Sequence, residues 1–120
     1  MKNSLLVALL AVSFSASANF VHPMDFDGSE AQKEQVIQFI KETVKKDYCG
    51  KVDMCNATTL RMMEKQNLDA FKQATQAKDR AVMDRVIKDY CNGAVDMCNY
   101  TTIKMMYDQN EQASKQDLSW

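Results

Sequence analysis

The sequence predicts an all-α protein: two repeated, disulfide-stapled helical hairpins packed as a four-helix bundle. Three observations carry this. Asp47-Tyr48-Cys49 through Met62-Met63 returns, with small changes, as Asp89-Tyr90-Cys91 through Met105-Met106. All four cysteines fall at matching places in the two copies. The apolar residues around them recur with helical spacing, and no segment alternates with the period of two that a half-buried strand requires.

Residues 1–18 read as a targeting segment. Lys2 gives a positive start, Leu5 to Val12 is apolar, and Ala16-Ser17-Ala18 is a small-residue cleavage site. The apolar run is shorter than the roughly 20 residues a spanning helix needs, so no membrane anchor is expected. The mature chain should begin at Asn19 and be periplasmic or secreted. The intact mass of the protein exported by its host checks this, and a mass retaining residues 1–18 would contradict it.

Residues 19–28, with His22 and Pro23, read as an extended arm ahead of a single helical domain over residues 29–120. Repeat one covers about 29–77 and repeat two about 78–114. Ser29 followed by Gln32 is a capping box that should start the first helix. Ile37, Ile40, Val44 and Tyr48 mark its apolar face. Gly50 is placed to stop it near Cys49 in a left-handed conformation. Asp53 is expected to cap the second helix, whose face carries Leu60, Met63, Asn67 and Ala70, extended by Phe71 and Ala74. Asp79 is the candidate cap for the third helix, where Val82, Val86 and Tyr90 match Ile40, Val44 and Tyr48. Asn92-Gly93 puts one extra residue into the second turn. Asp96 should cap the fourth helix, whose Ile103, Met106, Asn110 and Ala113 match the second. Asn67 and Asn110 interrupt apolar stripes, either as seam-fixing partners or as boundary residues in water.

Four cysteines in an exported chain of this size imply two disulfides. The spacing within each copy pairs Cys49 with Cys55 and Cys91 with Cys98, because each pair closes the turn between two antiparallel helices. Neither spacing is that of a thiol oxidoreductase or a haem attachment site.

Without residues 1–18 the chain has 14 Lys plus Arg against 16 Asp plus Glu. No basic block appears, so nucleic acid is not an expected partner. The lone histidine lies in the arm, which leaves no Ser-His-Asp or Cys-His set to assemble. Thr58-Thr59 and Thr101-Thr102 have no base beside them. No enzyme activity, cofactor or metal site is therefore expected. The function expected is binding to another protein, as an inhibitor, immunity-type protein, chaperone or envelope-stress factor. The alternative is a Met-lined helical core holding Cu(I) or a small apolar ligand. Met54 with Met97, Met62 with Met105, and Met63 with Met106 are the pairs that would carry it.

Overall fold

The computed structural model describes residues 19–120, so the expected leader lies outside the described residues. The described residues form four α-helices and no strand: α1 Glu30–Lys45, α2 Ala57–Ala74, α3 Arg80–Cys91 and α4 Tyr100–Ser114. A 3-10 turn covers Pro23–Asp25, and a π-helical turn over Lys46–Lys51 continues α1 into the first disulfide loop. None of the described helices is long and apolar enough to cross a membrane. α2 packs on both α1 and α4, and α4 packs on α3.

The Ser29 hydroxyl accepts the Gln32 amide at 3.1 Å, as its capping box predicts. The reciprocal arm differs, because the Gln32 carboxamide oxygen takes the Asp27 amide at 2.8 Å rather than that of Ser29. Gly28 directly before this cap has φ +77°, a left-handed conformation costly for any residue with a Cβ. The Asp79 carboxylate caps α3 by accepting the Val82 amide at 3.1 Å.

The expected caps Asp53 and Asp96 are not the caps. Asn56 accepts the Thr59 amide at 2.9 Å and Asn99 accepts the Thr102 amide at 2.8 Å. The disulfide loops use up three more residues than the Asp caps would allow, so α2 and α4 start after the second cysteine of each pair. Gly50 is not left-handed, since Gly28 alone has a positive φ among the described residues. α1 ends by widening into the π-helical turn instead. Gly93 is required by close approach: a Cβ there would lie 2.7 Å from the Asp89 carbonyl oxygen.

The core gathers Val36, Ile40 and Val44 from α1, Ala70, Phe71 and Ala74 from α2, Met83, Val86 and Ile87 from α3, and Tyr100, Ile103 and Tyr107 from α4. Ile37, expected on the core face, is 40% exposed because Val36 takes that place. On α4 the expected face holds only in part: Ile103 is buried and Met106 half-buried, while Asn110 and Ala113 are exposed.

The segment 19–28 is mostly extended but not free. Val21 and Pro23 are buried. The Tyr100 hydroxyl donates to the Val21 carbonyl at 2.9 Å and accepts the Val21 amide at 3.1 Å. Phe20, Phe39 and Phe71 surround the same ring. Arg80 holds Asp25 through two contacts of 2.6 and 2.8 Å, and His22 Nε2 lies 2.7 Å from Asp84.

Asn67 is buried. Its amide donates to the Met63 carbonyl at 2.9 Å, and its oxygen faces the Thr101 amide at 3.4 Å, in the first turn of α4. Asn110, its repeat counterpart, is exposed. Gln66 and Asp69 share a groove with Thr101 and Lys104 rather than with their counterparts Gln109 and Gln112. The middle of α2 thus lies beside the first turns of α4.

Candidate docking site at the disulfide turns

Disulfides join Cys49 to Cys55 and Cys91 to Cys98, with Cα atoms 4.5 Å apart in each pair. That spacing lies within the ordinary range for a bridge. Each bridge closes a short loop containing the same four residues, Val-Asp-Met-Cys, at 52–55 and 95–98. The loops end alike. The Asn56 amide donates to the Met54 carbonyl and the Asn99 amide to the Met97 carbonyl, both at 3.0 Å. The same asparagines then cap α2 and α4. In both copies the methionine thus directly precedes a bridging cysteine, and its carbonyl accepts the amide of the capping asparagine.

The two turns lie at one end of the molecule and touch. Lys46 Nζ reaches the Asp96 carboxylate at 2.9 Å, and Lys51 Nζ reaches it at 3.3 Å and the Asp96 carbonyl at 3.3 Å. The hydrogen bonds from Lys46 and then Lys51 hold the Asp96 carboxyl below the usual carboxylate range. Such exposed pairs contribute little to stability, but they join the two turns. Asp53, the counterpart of Asp96, has no ion pair among the described residues. The repeated aspartates therefore serve different purposes: one ties the turns together and the other remains on the surface.

Val52, Met54, Val95 and Met97 are 46, 50, 48 and 47% exposed. Single exposed apolar residues are ordinary on a protein surface. Here four stand on adjoining turns, the same two residue types in each copy, with none in the core. Met62 and Met105, in the second turns of α2 and α4, are exposed to the same degree. Of the methionine pairs singled out from the sequence, only Met63 and Met106 pack against the core. Met63 sulfur also accepts the Tyr48 hydroxyl at 2.8 Å. A Met-lined core is therefore not what the other two pairs form. Among the described residues no group of three or more His, Cys, Asp or Glu is arranged to hold a metal ion.

The sequence reading missed Tyr100 and Tyr107. Tyr107 is buried, and its hydroxyl accepts the amides of Lys78 and Asp79 at 3.2 and 3.0 Å, fixing the link from α2 to α3. Neither residue belongs to the repeated pattern, since Ala57 and Glu64 stand at the matching places of the first copy.

Comparison of the chain with known protein families, curated proteins and solved structures found no match.

Proposed function

We propose that this is an exported, non-enzymatic protein that binds another protein through the end formed by its two disulfide turns. The hairpins act as a small rigid helical bundle, and the turns are its working end. The observation that supports the reading is the twin exposure of Val52-Met54 and Val95-Met97 on loops closed by disulfides. A loop already locked in one shape loses little entropy when it docks. Methionine adapts its shape to an apolar hollow better than a branched side chain does. Two disulfides fit an oxidising compartment, in keeping with export. The matching partner surface is an apolar depression wide enough for two neighbouring turns, an arrangement suited to an inhibitor, immunity-type protein or chaperone.

Substitution at the tips tests the reading. Met54→Asp with Met97→Asp places charges on exposed side chains and should leave helix content and melting temperature nearly unchanged. The mature protein, immobilised, should retain a defined protein from the exported fraction of its host, and the double variant should lose it. Retention unaffected by the two substitutions would place binding elsewhere, and no specific retention by the wild-type protein would count against a protein partner.

A further inference from the structure

A second surface lies along the seam between α1 and α2. A groove of about 420 Å³ runs beside Phe26, Ile37, Leu68 and Phe71. A shallower one of about 270 Å³ continues it past Ile37 and Leu68 toward Arg61. Ile37 and Leu68 belong to both, so the two hollows form one trough. From Thr75 to Arg61 it follows α2 for roughly 20 Å, at about 1.5 Å per residue. Its floor is apolar and its edges carry cations: Lys33 and Lys72 at one end, Lys41, Lys65 and Arg61 at the other. Lys33 pairs with Glu30 and Arg61 with Glu64. Lys41, Lys65 and Lys72 have no ion pair among the described residues.

The second copy of the repeat supplies an internal control. The α4 positions matching Arg61, Lys65, Leu68 and Lys72 are Lys104, Asp108, Glu111 and Lys115. There the lysines are neutralised within the helix, Lys104 by Asp108 and Lys115 by Glu111. The first copy carries Lys65 where the second has an aspartate, and Leu68 where it has a glutamate. Both differences remove a carboxylate, one leaving a further cation and the other an apolar floor. On α4, Lys104, Asp108 and Glu111 line grooves against α2 and the α2–α3 link, and the charges at the matching positions are paired within the helix. The α2 face departs from that pairing toward uncompensated positive charge around apolar surface, although the chain as a whole is slightly acidic.

We infer that the α1–α2 trough is a docking site for an acidic amphipathic helix of a partner protein, separate from the surface at the disulfide turns. Its length suits about four helical turns, and an apolar stripe flanked by carboxylates matches the floor and both edges in the helix-in-groove mode of recognition. Cations at both ends of the trough, on the α1 and the α2 side at each end, outnumber the one carboxylate in its lining, Glu64, and fit charges repeated along a peptide. A single-chain anionic amphiphile brings one headgroup and would use one end only. A flat anionic bilayer would meet the lysine edges but not the floor between them.

The test uses the oxidised mature protein and a fluorescent synthetic helix of about 16 residues, with leucines at i, i+3, i+7 and i+11 and glutamates on both flanks. Controls are the same peptide with lysines in place of glutamates, and palmitate. Two double variants are compared, Lys65→Asp with Leu68→Glu, which copies the α4 face, and Lys41→Glu with Lys72→Glu, which changes only exposed side chains. Helix content and melting temperature report that each variant folds. By anisotropy the glutamate peptide should bind the wild-type protein, more weakly as salt is raised, and about tenfold or more weakly to either variant. Equal binding of the two peptides, binding unchanged in the Lys41→Glu, Lys72→Glu protein, or no binding of the glutamate peptide would overturn the inference. Saturable palmitate binding in place of peptide binding would overturn it too, and would give the trough to an anionic lipid. Variants at Met54 and Met97 should bind the glutamate peptide as the wild type does, so failure of one surface leaves the other standing.

Discussion

Replacing Tyr100 with alanine should lower stability by about 3–5 kcal/mol, the range for removing a large aromatic side chain from a packed core. At about 4–8 °C per kcal/mol for a domain near 100 residues, the melting temperature should fall by more than about 12 °C. The expectation rests on how much one ring holds. Tyr100 is fully buried, stacks on Phe20 from the arm, and meets Phe39 from α1 at a tilt and Phe71 from α2 edge-on. Its hydroxyl satisfies both the amide and the carbonyl of Val21. Without the ring the arm loses its anchor, and hydrogen exchange at Val21 should rise well before global unfolding. A shift of only a few degrees in the melting temperature would refute this account of the core.

Tyr100→Phe separates the hydroxyl from the ring. It keeps the packing but leaves a buried amide and carbonyl without their partner, at a cost of about 1–3 kcal/mol. It also predicts a pH effect. An unfolded tyrosine ionises near pH 10. Burial raises the Tyr100 pKa well above that value, against a smaller lowering by the hydrogen bond from Val21. Above about pH 10 the folded chain thus keeps a proton that the unfolded chain has shed. Stability is complete below that pH and declines as pH rises through it. Denaturant titrations at pH 8 and pH 11 should show a smaller loss for Tyr100→Phe than for the wild-type protein. Equal losses would mean that the phenol does not report on folding.

These tyrosines also show where the sequence was readable and where it was not. The helices were legible because their signals are local: Ser29 and Asp79 bond amides three residues away, and Val44, Val86 and Phe71 sit on faces set by helical periodicity. The caps of α2 and α4 were misplaced because Asp and Asn can both cap, and the choice between Asp53 and Asn56 depends on how many residues the disulfide loop consumes. The rotation of α1 that buries Val36 and exposes Ile37 depends on contacts from other helices. Tyr100 and Tyr107 were missed for a different reason. Attention to the repeat favours what the two copies share, whereas two like units fit together through residues that differ between them. Ala57 became Tyr100 at the junction, and Glu64 became Tyr107. The basic trough follows the same logic, since it exists where Lys65 and Leu68 depart from Asp108 and Glu111. The features that both copies share without burying them, Val-Asp-Met within each disulfide loop, are the ones that packing does not explain and on which the proposed docking rests.

Reduction of both disulfides should have the largest effect of all. Four cysteines allow three pairings. The structure joins Cys49 to Cys55 and Cys91 to Cys98, each across a turn. Non-reducing proteolysis at Lys and Arg residues between the copies, with mass spectrometry, should recover residues 47–61 and 89–104 as separate peptides. Recovering them joined would refute the local pairing. On a chain-entropy argument each short loop contributes roughly 2.4 kcal/mol, so the two together contribute about 5 kcal/mol. That is comparable with the whole stability of many small domains, about 5–15 kcal/mol. A protein of residues 19–120 should therefore melt at least about 20 °C lower with reductant than without it. A difference of a few degrees would show that helix packing suffices and the bridges serve only to shape the turns. The two bridges should not be equivalent. Cys91 packs against the core at the end of α3, whereas Cys55 is exposed beside the start of α2. Cys91→Ser with Cys98→Ser loses the loop constraint and apolar packing. Cys49→Ser with Cys55→Ser loses chiefly the constraint and should melt at the higher temperature of the two. The second variant should nevertheless lose the docking attributed to Val52 and Met54, because that loop has no other covalent hold.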